Sequence, residues 1–427
     1  MDPYPMDALT CLERRGLVEA VSDPSLKAHF AEGPIRFYIG FDPSARSLQL
    51  GNLFAVATTR RLQLMGHSPV ILVGGATGMI GDPSGRGDER NLLDADTLGA
   101  NVAAVRAQLE RFVDFSGPAA AQMVNNYDWL GHFPLVEWLR DVGRRFRVAE
   151  MLAKEAVKRR LESADGISYT EFTYQMLQAY DFLHLFRALG VTLQLGGSDQ
   201  WGNIAAGIDL VRKELGKAAY GLCVPLVTDA QGNKFGKSLG GAVYLDASMT
   251  SPYRMYQYLL NADDSLVGRY LRYFTFLEDD ALDALDADTR DRPGQRLAQR
   301  ALADAVVEWV HGKDGLAAAH RATRLFFGEA VDNATADDFA QAFADAPSAT
   351  LPRAALEAGL NVVDLLAATP LWKGKNDVRR SIQQKGAYLD HVAVDSPDRA
   401  LKPGDLGPAG AFIARKGKKS CALVRFS

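Results

Sequence analysis

Tyr38-Ile39-Gly40-Phe41-Asp42-Pro43-Ser44 closes an apolar run that begins at Ile35, and Leu48-Gln49-Leu50-Gly51-Asn52-Leu53 follows at once. The run reads as a strand, and residues 53–65 read as a helix stopped by Gly66. The six-residue stretch 48–53 forms the strand-to-helix turn, which aims unpaired N–H groups and a positive dipole end at any phosphate placed there. Gly51 leaves the backbone bare, so a flat ring can lie against it. Gln49 and Asn52 add amide N–H donors. Far downstream, Lys234-Phe235-Gly236-Lys237-Ser238 sets two lysines three apart on a glycine-containing loop, where both can reach a polyphosphate. Taken singly, the first motif is an ordinary turn as often as a site, and the second is more often a solvated basic loop.

At 427 residues the chain exceeds one ordinary core and fits two or three domains. A hydrophobic share of 47% with 23% charge is that of a soluble globular protein. The net charge of -4 gives no global sign of nucleic-acid binding, so any basic surface must be local. Cys11, Cys223 and Cys421 are scattered, which suits a reducing, cytoplasmic compartment and excludes a disulfide frame or a zinc ligand set. The acidic start, with Asp2 and Asp7, is no secretory signal. The most apolar run, residues 69–81, is broken by Gly74, Gly75 and Gly78, so no segment is expected to span a membrane.

Strands at 35–41, 70–73 and 191–195 alternate with helices at 53–65, 98–115 and 201–215. That alternation predicts an α/β fold with an open parallel sheet, whose ligands sit beyond the carboxyl ends of the strands. Residues 251–327 are continuously helical in pattern. Residues 328–363, rich in Ala and Asp with Pro347 and Pro352 as breakers, read as a connection. Residues 366–427 carry 12 Lys/Arg against 5 Asp/Glu, which supplies the local basic surface.

With Gly197-Ser198-Asp199-Gln200-Trp201-Gly202-Asn203 lying between them, the two motifs resemble the divided ATP site of a class I aminoacyl-tRNA synthetase. The wording is similar to that of bacterial-type tyrosyl-tRNA synthetases. Residues 48–53 have the outline of the family's HIGH motif, with Gln49 and Asn52 where two histidines usually stand, and residues 234–238 match its KMSKS loop. No proton transfer is required of these residues, because the attacking group is already a carboxylate. Amide donors therefore suffice in place of imidazoles, without the charge of a protonated histidine.

The resemblance implies a Rossmann-like catalytic domain over 1–226 with a dimerisation insertion at about 125–165. It further implies a mobile loop and helical domain over 227–327, a linker over 328–363, and a small basic α+β domain over 364–427. The activity implied is that of a tyrosine–tRNA ligase. Tyrosine and ATP give tyrosyl-adenylate and pyrophosphate, and the tyrosyl group then passes to the 3′ end of tRNA(Tyr). The rivals are a ligase for another aromatic amino acid and a silent RNA-binding descendant. Ser44, Gln49, Asn52, Arg86, Arg90, Lys234, Lys237 and Ser238 are the implied catalytic set. Gly40, Asp42, Gly51, Gly197, Asp199 and Lys237 would hold ATP, whose Mg²⁺ would arrive with it; no protein metal ligands are expected.

The same resemblance assigns the substrate phenol to Tyr38 and Asp181 and its ammonium to Asp82, Tyr174 and Gln178. Asn126 and Gln200 complete that pocket. Tyr174, Gln178 and Asp181 are spaced by four and three, so they share one helix face. Residues 377–390 resemble the core of a small RNA-binding module first known from a ribosomal protein. Arg379, Arg380 and Lys385 would lie at its helix end, and Arg415, Lys416, Lys418 and Lys419 on its hairpin, as phosphate contacts. Where the family has an Asn-Gly turn, this chain has Asp390-His391. A symmetric homodimer is expected as well, with Tyr169 near the two-fold axis between Ile167 and Phe172.

Overall fold

A computed structural model of the chain describes residues 7–84, 93–164, 166–238, 241–327, 335–344, 346–406, 410–417 and 420–427. They form two compact units. One comprises residues up to Thr250 with Tyr258–Val310, and the other Ser251–Gln257 with His311–Ser427.

The first unit is built on a six-stranded sheet. Its strands are β1 (Ala20–Val21), β2 (Arg36–Phe41), β3 (Ser68–Val73), β4 (Gln122–Asn125), β5 (Val191–Gly197) and β6 (Tyr220–Val224). Across the sheet they run β1-β6-β5-β2-β3-β4, all parallel except the short β1 edge. Phe37, Tyr38 and Ile39 are consecutive and all buried, as are Val70 to Val73. Helices cover both faces of such a sheet, so its strands read as unbroken apolar runs rather than alternating ones. The parallel α/β sheet expected from the sequence is the one found. β4 has no such run: its residues are half-buried or exposed at the sheet edge, and nothing in its wording announced a strand.

The strand order reverses between β2 and β5. These two strands pair at Arg36↔Val191, Phe37↔Leu193 and Tyr38↔Gln194, and no further. Gly40 and Phe41 then pair with β3 alone, and Leu195 to Gly197 with β6 alone. The strands therefore part just past Tyr38, opening a crevice at the switch point, where α/β sheets bind their ligands.

Two helices deliver side chains to this crevice. The helix Tyr169–Leu189 is capped by Ser168, whose hydroxyl accepts from Glu171 N at 3.2 Å, and it ends at Gly190 in the left-handed region (φ 68°). Its base is tied by a fully buried pair. Arg160 donates to Glu171 through Nε and Nη2, each at 3.0 Å. The helix Leu50–Leu64 carries buried Arg61, which donates to the carbonyls of Tyr273 and Arg272 at 2.9 Å and to that of Thr275. Those carbonyls are left over at the end of the helix Asp264–Phe274, and the guanidinium caps them.

In the second unit a five-stranded sheet is ordered Val392–Ala393, Ala387–Leu389, Phe412–Lys416, Ser420–Phe426, Ser348–Leu351. Val363, Leu366, Val378, Ile382, Phe412 and Val424 lie in its core. The stretch 328–363, read above as a connection, carries the helix Ala336–Ala342 and the strand Ser348–Leu351, which joins the sheet parallel to the last strand. Asp390 (φ 46°) and His391 (φ 67°) are both left-handed, the backbone a two-residue hairpin turn of this twist demands. Asp390 accepts from Ile413 N at 2.8 Å, and His391 Nδ1 lies 3.0 Å from Arg415, so side-chain contacts hold what Asn-Gly would adopt unaided.

Candidate active site

The two distant motifs meet backbone to backbone. A Cβ on Gly51 would stand 3.0 Å from the Phe235 carbonyl, and one on Gly236 (φ 85°) 3.0 Å from Gly51 N. Leu50 N donates to Val243 O and Leu245 N to Leu48 O, with Gln49 and Tyr244 forming an isolated antiparallel bridge. Phe235 anchors the loop: it is buried and stacks on Phe274, with Tyr258 and Tyr270 beside it. Lys234 and Lys237 on either side are exposed. Asn52 Oδ1 accepts from Gln49 N at 2.9 Å, which turns the Asn52 NH₂ outward as the free donor. Ser44, just past β2, is exposed as well. Arg86 and Arg90 lie outside the described residues, as does the side chain of Ser238.

Tyr38 stands at the last rung of the β2–β5 pairing, fully buried, and its hydroxyl has no partner. Burial lifts its pKa far above the ordinary phenol, and the nearby Asp181 carboxylate lifts it further. Asp181 accepts from Trp129 Nε1 at 2.8 Å on one oxygen and from Asn126 Nδ2 at 3.0 Å on the other. Burial pushes its pKa up to about 7, although both donors favour the charged form. His184 stacks on the Trp129 ring at 4.3 Å. Asn126, expected to complete the pocket, has its amide taken up by protein groups. It is wholly buried, with Nδ2 engaged by Asp181 and Thr77 and Oδ1 by Ala76 N.

Asp42 accepts from Thr77 Oγ1 and from the Tyr174 hydroxyl, both at 2.8 Å. Its position allows no side chain at residue 74, where a Cβ would collide with Asp42 and Thr77. Because Tyr174 donates its only proton to Asp42, its lone pairs are what remains for a ligand. Asp82 accepts from Gln200 Nε2 at 2.6 Å and from Ser84 N at 2.9 Å. Asn203 Nδ2 lies 2.9 Å from Gln178 Oε1 and 3.3 Å from Gln200 Oε1. At the end of β5, Asp199 has its pKa raised by burial, with Lys234 opposing from 3.9 Å. A Cβ on Gly197 would stand 2.7 Å from Asp199 Oδ1 and would force that carboxylate to shift.

The structure thus gathers Tyr38, Gly40, Asp42, Asp82, Tyr174, Gln178, Asp181, Gly197, Asp199 and Gln200 at the ends of β2, β3 and β5 and on the facing helix. Sequence reading missed Thr77, Trp129 as a donor to Asp181, and Asn203. The only signal for Thr77 was its place in a glycine-rich turn after β3.

In the second unit Arg379, Arg380 and Lys385 are exposed around the helix Lys375–Gln383. Asp377 joins two cations, accepting from Arg380 and from Lys416, each at 2.9 Å. The hydrogen bonds from Arg380 and Lys416 hold its carboxyl well below the usual range. Arg415 departs from expectation: it is 5% exposed and donates to the Phe326 carbonyl at 2.7 Å, over the Phe326 ring. Its guanidinium is a structural group there, not a surface phosphate contact. Lys418 and Lys419 lie outside the described residues. Among the described residues no helix is long and apolar enough to cross a membrane, and no group of three or more acidic, His or Cys side chains could hold a metal.

Comparison with known proteins agrees with this geometry. Residues 31–328 match the family described as tRNA synthetases class I (W and Y). The tyrosine–tRNA ligase of Anaeromyxobacter dehalogenans is 48% identical over 98% of this chain and 99% of its own length. That of Rhodopirellula baltica is 45% identical over 97% and 95%. Among solved structures, a C-terminally truncated mitochondrial tyrosyl-tRNA synthetase of Aspergillus nidulans superposes with a TM-score of 0.69 at 31% identity, over 76% of this chain and 96% of that one. The chain belongs to the class I tRNA synthetases of the W and Y family and, within it, to the tyrosine–tRNA ligases.

Proposed function

We propose that this enzyme activates L-tyrosine with ATP and charges tRNA(Tyr). The observation that carries the choice of amino acid is the buried, partnerless Tyr38 hydroxyl beside Asp181. A phenol entering there donates to the carboxylate and accepts from Tyr38. Phenylalanine would leave the buried Tyr38 hydroxyl unanswered, at a cost of about 1–3 kcal/mol, and would give Asp181 no donor beyond Trp129 and Asn126. The substrate ammonium goes to Asp82, Tyr174, Gln178 and Gln200, all of which offer oxygens.

In the first step a carboxylate oxygen of tyrosine attacks the α-phosphorus in line as the bond to pyrophosphate breaks. Asp42 and Asp199 take the ribose hydroxyls. Gln49, Asn52, Ser44, Lys234, Lys237 and Ser238, with Arg86 and Arg90, stabilise the departing phosphates. Catalysis is then positioning and charge stabilisation, with no proton to move. Mg²⁺ enters as the counter-ion of ATP. In the second step the terminal ribose hydroxyl oxygen of tRNA bonds to the tyrosyl carbonyl carbon as the bond from that carbon to AMP breaks, the hydroxyl proton leaving with the AMP phosphate. Arg379, Arg380, Lys385, Lys416, Lys418 and Lys419 supply the phosphate contacts that hold the RNA.

The enzyme acts in the cytoplasm as a homodimer. Leu135 (71% exposed), Val136 (75%) and Tyr169 (75%), with Leu139, Val148 and Leu161, are large apolar side chains on the insertion and the adjoining helix start that a monomer would leave wet. ATP–pyrophosphate exchange driven separately by tyrosine, tryptophan and phenylalanine tests the reading. Exchange with tyrosine alone supports it. Exchange with tryptophan instead, or with none, favours one of the two rivals.

A further inference from the structure

Asn203 stands in the first turn of the helix Trp201–Leu215, 7% exposed. Four side-chain oxygens surround its one amide nitrogen: Gln178 Oε1 at 2.9 Å, Gln200 Oε1 at 3.3 Å, Asp82 Oδ1 at 3.4 Å and Ser84 Oγ at 3.4 Å. An amide nitrogen has two hydrogens, so it cannot serve all four fully. The shortest contact is to Gln178. A glutamine side chain has two ends of nearly equal shape and opposite polarity, and a neighbour must decide which end faces the ligand. For Gln178 that neighbour is Asn203. Gln200 is fixed at both ends, its Nε2 on Asp82 at 2.6 Å and its Oε1 toward Asn203.

We propose that Asn203 is a positioning residue for the substrate's amino group, holding Gln178 and Gln200 by their Oε1 atoms so that the remaining lone pairs of those oxygens, and not the Gln178 NH₂, are offered to the ammonium. This rests on the reading that the cluster receives the ammonium of tyrosine. An ammonium is donor-only, so every group around it must present an acceptor. With Asn203 present, the remaining lone pairs of Gln178 and Gln200 join those of Asp82 and Tyr174. Without it, Gln178 is free to rotate and set its NH₂ against the ammonium. Asn203 itself stays behind this layer and makes no contact with substrate.

The test compares equilibrium binding of L-tyrosine and of 3-(4-hydroxyphenyl)propionate, which keeps the phenol and carboxylate but lacks the amine. Wild type, Asn203→Ala and Asn203→Leu are measured, the leucine restoring the lost volume. Both variants should bind tyrosine roughly 10- to 100-fold more weakly, as expected for hydrogen bonds that serve a charged group. Their affinity for the des-amino analogue should stay within about threefold of wild type. Equal weakening toward both ligands, or undiminished tyrosine binding, overturns the proposal. If only one variant folds, the same comparison on that one decides. A wild type that binds the analogue as tightly as tyrosine would instead overturn the amino-group assignment itself.

Discussion

Gly51 and Gly236 face each other so closely that a Cβ on Gly236 would stand 3.0 Å from Gly51 N and one on Gly51 3.0 Å from the Phe235 carbonyl, where the helix start after β2 meets the lysine loop. A methyl group at either position would force its backbone neighbour to give by a few tenths of an ångström. Gly51→Ala must push the Phe235 carbonyl aside, and Gly236→Ala also meets a left-handed backbone, which costs about 1 kcal/mol. Both variants should form adenylate at least tenfold more slowly while binding tyrosine as before. Single-turnover kinetics with titrated tyrosine reads both quantities; unimpaired rates would show that the contact is incidental.

Lys237→Ala should slow adenylate formation far more than it weakens tyrosine, because an exposed lysine on the loop meets phosphate only as charge shifts in the reaction. A parallel loss of tyrosine affinity would place the loop in the resting pocket instead.

Asp181 gives the site a pH dependence. Its pKa of about 7 is above that of an unfolded carboxyl, so the folded state binds the extra proton between about pH 4 and 7. Stability should therefore decline as pH rises through that window and level off above it. Tyrosine binding should run the other way. The phenol donates to the ionised carboxylate, so affinity should fall toward tenfold per unit below about pH 7. Titrating binding from pH 5.5 to 8 checks this; a flat profile for wild type, or the same slope in Asp181→Asn, contradicts it.

Arg379 and Arg415 should part company. Arg379→Ala, at an exposed helix position, should weaken tRNA binding, lower its salt slope by about one and leave the melting temperature alone. Arg415→Ala removes a buried cation from the Phe326 carbonyl and should destabilise the protein by about 2–4 kcal/mol. Chemical denaturation beside RNA binding at several salt concentrations separates the two. Equal behaviour would mean that Arg415 is not the structural group its burial indicates.

Tyr169→Asp should split the dimer, since the two-fold contact would set two unpaired carboxylates in a desolvated patch. Sedimentation of both forms decides it: a monomeric wild type or an intact mutant dimer contradicts the assignment.

Tyr38, Asp42, Asp82, Asp181 and Asp199 were legible because each sits in a short local wording at a strand end or on one helix face. What was not legible depends on strand order. The Tyr174–Asp42–Thr77–Asn126–Asp181 chain of hydrogen bonds needs β2, β3, β4 and the helix Tyr169–Leu189 side by side, and no spacing in the sequence encodes that adjacency. Arg415 misled for a related reason. In Arg415-Lys416-Gly417-Lys418-Lys419 it looks like one of five surface residues, yet the strand Phe412–Lys416 lies inside its sheet, where Arg415 is covered. Asn203 was in view within a quoted motif, but its importance comes from four oxygens on two other segments and its own.

By the proposed function, Tyr38 and Asp181 select a phenol. The most direct measurement is the ratio of kcat/KM for tyrosine over phenylalanine in pyrophosphate exchange, for wild type and Tyr38→Phe. Removing the partnerless hydroxyl relieves the penalty on phenylalanine and takes a bond from tyrosine, so the ratio should fall by roughly tenfold or more. An unchanged ratio in a well-folded Tyr38→Phe enzyme would contradict the account.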